Sequence, residues 1–318
     1  HSNTAVGSQS LIANTTGHSS VAVGYLASKS NTTGNSNVSM GHCALYTATT
    51  AATSVAIGHH AMKLTTSASD NVAVGRNAMC TNTTGASNVA VGASAMQSNT
   101  EGASNTAIGG NSVLFANTTG DFNTAVGTTA LAANTTADDN TAVGHQALLT
   151  STTGANNTAV GKAALRLSTT SAGNTAVGVA ALCTNTTGAS GTAIGHYALN
   201  ANTTGNLNAA VGESALLTNT EGDYNTAVGA RSLKLLQSTD FNTAAGYAAL
   251  EAVTTGGGNT ALGFAAGHTV TDGDCNVAIG YRSGHNGGSA QYQIVIGSGD
   301  TSNNFTSGGD NQIRMGKR

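Results

Sequence analysis

Apolar and polar positions recur along the chain with a period of 17 residues. Asn3-Thr4-Ala5-Val6-Gly7 returns as Asn71-Val72-Ala73-Val74-Gly75 and as Asn174-Thr175-Ala176-Val177-Gly178. The closing glycines run Gly7, Gly24, Gly41, Gly58, Gly75, Gly92, Gly109, Gly127, Gly144, Gly161, Gly178, Gly195, Gly212, Gly229, Gly246, Gly263, Gly280, Gly297 and Gly316. Of their 18 intervals sixteen are 17 residues long, Gly109 to Gly127 is 18, and the last is 19. The unit reads N-T-A-V-G-x-x-A-L-x-x-N-T-T-G-x-x, numbered 1 to 17.

Position 4 is apolar in all 19 copies, and position 2 is Thr, Val or Ile in all but Ala209. This period of two over β-branched residues predicts a short strand whose positions 2 and 4 share the core-facing side. Position 9 adds a second apolar column, as in Leu45, Leu131, Leu148, Leu165, Leu182 and Leu199. The glycine at position 5 predicts positive φ or close backbone approach, and the NTTG segment predicts a turn.

A 17-residue unit is too short for two helices and has no 3.6-residue apolar period; two short strands and two turns fit it. Identical coils stacked in parallel, about 4.8 Å apart, predict an all-β parallel β-solenoid of about 18 coils and about 85 Å. Residues 1–263 carry the regular repeats and 264–318 variant coils of the same continuous array. Three large apolar side chains per coil make a thin core. Position 3, expected to point outward, is Ala in 16 of 19 copies, with Ser39, Val295 and Arg314 the exceptions. A column held so small predicts packing against another copy, in closed cyclic symmetry that leaves no open edge. The alternative is that alanine merely suits a turn region.

Composition narrows the function. Of 318 residues 42 are glycine, none is proline or tryptophan, and 8% are charged. Globular domains have about 25% charged residues, so a soluble enzyme with a salt-bridged surface is not expected. Disordered chains are rich in charge and proline, and collagen needs glycine at every third residue; neither applies. A net charge of -3 gives no reason to expect a nucleic-acid partner, and no apolar run is long enough to span a membrane.

NTAVG-x-x-AL followed by NTTG resembles the repeats of phage and bacterial trimeric tail-fibre proteins, and is similar to the S-V-A-I-G repeats of YadA-like adhesin heads. The resemblance covers essentially the whole chain. It implies a left-handed β-roll assembling as a homotrimer, in an extracellular virion fibre or at a cell surface. It also implies a transient C-terminal chaperone domain that directs trimerisation and cleaves itself off. Gln293-Ile294-Val295-Ile296-Gly297 and Gln312-Ile313-Arg314-Met315-Gly316 fit such a junction. The start at His1 is that expected of a processed chain or fragment. Trimeric adhesins carry a C-terminal membrane anchor, and none is expected within these residues.

The columns also sort the candidate chemistry. Cys43 sits at position 7, Cys80 and Cys183 at position 10 and Cys275 at position 17, so no intrachain disulfide is expected. His42 and His59 pair at position 6, and His268 and His285 at position 10. No carboxylate joins either pair, and no metal or cofactor is expected. Asp121, Asp138, Asp223 and Asp240 fall at position 16, where turn chemistry explains them better than acid–base catalysis. No catalytic motif is present, and the chain is not expected to be an enzyme.

Tyr247, Phe264 and Tyr281 at position 6, and Tyr224 and Phe241 at position 17, should stack as ladders. These would serve as a platform for sugar rings, or would stabilise terminal coils where Gly267 and Gly284 interrupt the Leu column. N-x-[ST] sequons at Asn14, Asn31, Asn82, Asn117, Asn134, Asn185 and Asn202 all occupy position 12. They would carry regularly spaced glycans in a eukaryotic setting and be bare turn residues in a phage or bacterium.

The leading expectation is a trimeric fibre shaft that spaces or presents a receptor-binding end. The second is a trimeric cell-surface adhesin that contacts host glycan or matrix. An ice-binding solenoid is third, weakened because the adjacent threonines at positions 13 and 14 would face opposite ways.

Overall fold

The structure, a computed structural model, describes residues 2–284, 288–289, 291–298 and 313–315. It is an all-β parallel β-solenoid with the 17-residue coil as its unit. The chain divides into two compact units, residues 1–157 and 158–318, each a run of the same coil. Each coil contributes one three-residue strand, from β1 (Thr4–Val6) to β9 (Thr141–Val143) in the first unit and from β10 (Thr158–Val160) to β19 (Ile313–Met315) in the second. Successive strands within a unit pair in parallel and in register, Val72 with Val89 and Val74 with Val91. A second strand per coil was expected from the length of the unit; the remainder is instead a chain of turns.

The turns follow from backbone conformation. Positions 7, 9 and 17 are left-handed in coil after coil, as at Cys43 (φ 53), Leu45 (φ 52) and Thr53 (φ 54). Each costs an L-residue about 1–2 kcal/mol. That cost is offset because many backbone groups of each coil are paired with an adjacent coil: the Val72 N–H donates to the Asn88 carbonyl (2.8 Å), and the Gly92 N–H to that of Val74 (2.8 Å). Such pairing leaves proline no place. At position 5 glycine is required twice over. Gly75 has φ +140°, and a Cβ there would lie 2.4 Å from the Gly92 carbonyl oxygen.

The strand faces the opposite way from that expected. Position 3 points inward: Ala22, Ala56, Ala73 and Ala90 are fully buried, whereas position 4 is exposed at Ile57 and Ile108. The alanine column is therefore core, not a contact with another copy. Its size is set by the opposite wall, where alanine at position 8 and Leu or Met at position 9 (Met62, Met79, Met96 and Leu114) are fully buried too. The 18-residue interval is absorbed outside this core. Val113 and Leu114 keep register, the latter donating to the Ala130 carbonyl (3.0 Å).

The reason for the orientation lies at position 1. Its asparagine is buried, and alternation along a strand puts positions 1 and 3 on one side, 2 and 4 on the other. The Asn88 Oδ1 accepts from the Asn105 N–H in the next coil (2.9 Å), while its Nδ2 donates to the Gly102 carbonyl of its own coil (2.8 Å). Asn71 does the same towards Asn88 (2.9 Å) and Gly85 (2.9 Å). Serine at this position keeps the first bond, as from the Asn71 N–H to the Ser54 hydroxyl (3.3 Å).

Position 12 builds a second buried asparagine ladder. Asn99 Nδ2 donates to Asn82 Oδ1 (2.8 Å), Asn117 to Asn99 (2.8 Å) and Asn134 to Asn117 (2.8 Å). In the second unit Leu236, Val253 and Val270 take this position and are equally buried. Where a run of asparagines ends, its last acceptor is stranded: among the described residues, the buried Oδ1 atoms of Asn31, Asn134 and Asn219 have no donor. The following coils place Ala48, Ser151 and Leu236 there.

Two expectations follow. Asn88→Asp keeps the acceptor but turns a carboxylate oxygen towards the Gly102 carbonyl, so at neutral pH it should destabilise the first unit by about 3 kcal/mol or more. Thermal or denaturant unfolding measures this. Ala48→Asn supplies the donor that Asn31 Oδ1 lacks and should raise stability by about 1 kcal/mol; a lowered unfolding midpoint would contradict the account of the stranded acceptor.

Candidate functional site

With positions 1 and 3 inside, positions 2 and 4 form a flat outward face on each unit. In the second unit its position-4 column is apolar and open: Val177 is 36% exposed, Ile194 40%, Val211 36% and Val228 44%. A stacked row of β-branched side chains is an unusual thing to leave facing water. Its neighbours at position 2, such as Thr175 and Thr192, are half-buried. The threonines at position 13 have another task, many of their hydroxyls donating to the same position of the next coil, as from Thr83 to the Thr100 carbonyl (2.8 Å).

The aromatic ladders form as the column arithmetic predicts. Tyr247 and Phe264 stack at 5.2 Å between ring centres, Phe264 and Tyr281 at 5.3 Å, and Tyr224 and Phe241 at 5.3 Å, with planes within 15° of parallel. All five rings are exposed. Arg231 steadies one end of the longer ladder, donating to the Tyr247 hydroxyl (3.3 Å) and pairing with Glu251; both bonds raise its pKa further above the ordinary range. A groove beside the shorter ladder is lined by Asp240, Phe241, Gly258, Asp274, Cys275 and Tyr292.

The position-12 sequons are not sites for glycans on the folded coil. Asn82, Asn117, Asn134 and Asn185 are fully buried, Asn31 and Asn202 nearly so, and their amides bond inward. Asn14 in the first coil is half-buried, and its Nδ2 likewise donates to the Gly17 carbonyl (2.9 Å). The position-16 aspartates cap turns: Asp138 accepts from the Asp121 N–H (2.8 Å) and Asp240 from the Asp223 N–H (2.7 Å).

The four cysteines are free thiols, and burial pushes that of Cys80 up. His42 and His59 stack at 5.1 Å as expected from their column. His268 turns its Nδ1 to the Ala265 carbonyl (2.9 Å), and His285 lies outside the described residues. Reading position 6 alone missed position 7, where His60 stands one coil above Cys43. Burial first, then the charges of His59, Lys63 and His42, hold the His60 imidazole below its ordinary pKa.

Among the described residues no helix is long and apolar enough to cross a membrane. No protein-family model matches the chain, and no curated protein matches it significantly.

The central ring of the longer ladder touches a neighbour on each face. Phe264→Ala should therefore cost about 1–3 kcal/mol of local stability and diminish the near-ultraviolet circular dichroism of Tyr247 and Tyr281. Unchanged aromatic dichroism would mean that the rings do not stack.

Proposed function

We propose that the chain is a structural element of an extracellular fibre, a shaft of the phage tail-fibre kind that spaces or presents a receptor-binding end. Three copies associate along their outward strand faces. The observation that supports this most is the open position-4 column of Val177, Ile194, Val211 and Val228. Straight, flat and uncharged, it matches a second copy of itself, and closed threefold packing covers it without leaving a free face to polymerise. The alanine column, first expected to make this contact, is in the core, so the interface moves to positions 2 and 4. Few charges and a regular ladder of backbone bonds suit a mechanical role, and the repeat's resemblance to tail-fibre and YadA-like proteins points the same way.

The exposed rings of Tyr247, Phe264 and Tyr281 favour a second reading, a trimeric adhesin in which that ladder stacks against sugar rings. The two readings share the trimer and differ in whether the surface contacts a ligand.

Analytical ultracentrifugation tests the assembly. The chain should sediment as a trimer, and the double variant Val177→Glu, Val211→Glu should sediment as a monomer with its fold intact. The two carboxylates lie two coils apart along one copy's stack, while like charges from three copies converge across the interface at about 3–5 kcal/mol for each unpaired burial. A monomeric parent chain contradicts the proposal.

A further inference from the structure

The first unit carries a compact cluster of metal-ligating side chains that the fibre reading does not use. His42 and Cys43 occupy positions 6 and 7 of one coil, His59 and His60 the same positions of the next. The donor atoms of His42, Cys43 and His60 all lie within 4.8 Å of one another, and Cys43 Sγ is 4.0 Å from His42 Nε2. Around a tetrahedral ion with bonds of about 2.0–2.3 Å, donors stand about 3.3–3.7 Å apart. The two distances differ by about what rotation of the exposed His42 ring can close.

The backbone prepares this arrangement. Cys43 and His60 share the left-handed conformation (φ 53 and 59), so their side chains leave the coil in the same direction. The Cys43 N–H donates to the Tyr25 carbonyl (3.0 Å) and the His60 N–H to that of His42 (3.0 Å), which fixes the spacing between the coils. Cys43 is only 6% exposed, a thiol recessed beneath two imidazoles. The His59 ring packs on His60 at 3.7 Å and holds its orientation, while Tyr25 lies 5.4 Å from His42 on the other side. One thiol and two imidazoles make a donor set for zinc, cobalt, nickel or copper, and a poor one for calcium or magnesium.

We propose that His42, Cys43 and His60 form a binding site for one borderline transition-metal ion, tetrahedral, with a fourth position left to water. On binding, the thiol loses its proton to solvent and the thiolate and both neutral imidazoles each give an electron pair to the ion. The ion bridges two successive coils, so its role is to clamp them.

Cobalt(II) is the probe, titrated into the intact chain under reducing conditions. One equivalent should saturate a near-ultraviolet thiolate-to-cobalt charge-transfer band. Cys43→Ser should abolish the band, and His60→Ala should weaken binding at least about 10-fold. His145→Ala, at a histidine elsewhere in the unit, should leave both unchanged. Serine and alanine already stand at position 7 in other coils, as Ser94 and Ala163, so both variants should fold. In the parent chain, Zn2+ should slow alkylation of Cys43 and leave that of the exposed Cys275 untouched. A band that fails to saturate at one equivalent, a band that survives Cys43→Ser, or equal alkylation of Cys43 with and without Zn2+ would overturn the site.

Discussion

One side-chain amide governs the coil. The asparagine at position 1 reaches both to the next coil and across its own: its oxygen accepts the following backbone N–H, as from Asn105 to Asn88, and its nitrogen closes the turn at position 15, as from Asn88 to Gly102. The backbone N–H is a buried donor that would otherwise go unpaired, at a cost comparable to the bond itself, while the carbonyl takes its other bond from position 12, as Gly102 does from Asn99. That amide must therefore lie inside. Once it does, the period of two along the strand decides the rest. Position 3 turns inward and must be small, because Leu or Met at position 9 fills the interior from the opposite wall. Positions 2 and 4 turn outward whatever their hydrophobicity.

The chemistry of the surface follows from this constraint. A short strand whose inner side is given to asparagine and alanine exposes its β-branched residues, and the proposed association of copies rests on that face. The aromatic rings and the imidazole–thiol cluster arise by the same logic at positions 6 and 7, just past the obligatory glycine. The strict repeat brings residues of one column into contact. Tyr247, Phe264 and Tyr281 become a ladder, and Cys43 meets His60. Scarcity of charge is the complement, since a charged residue copied into successive coils would repel its neighbour about 4.8 Å away.

Much of the fold was legible from the period alone: the parallel solenoid, the 17-residue coil, the glycine at position 5 and the leucine column. The orientation of the strand was not, because hydrophobicity suggested that Val and Ile at positions 2 and 4 belong inside. The more telling signal was the constancy of asparagine at position 1 beside alanine at positions 3 and 8; a buried, satisfied amide carries no hydropathy signature. The single strand per coil was hidden for a related reason. Residues such as Leu45 at φ 52 adopt a conformation that no propensity assigns to leucine, and only the pairing of coils holds them there. The sequon pattern at position 12 likewise gave no sign that asparagines such as Asn82 and Asn117 are buried. The aromatic ladders were legible because columns of like residues need only the repeat, whereas the Cys43–His60 pair joins unlike residues.

The burial of the position-1 amides is the central claim, and hydrogen exchange of the asparagine side chains tests it most directly. By NMR, the primary amide protons of Asn71, Asn88 and Asn105 should exchange far more slowly than those of free asparagine, and at rates that follow global unfolding. Exchange at the rate of an exposed asparagine would place those side chains in water and contradict the account.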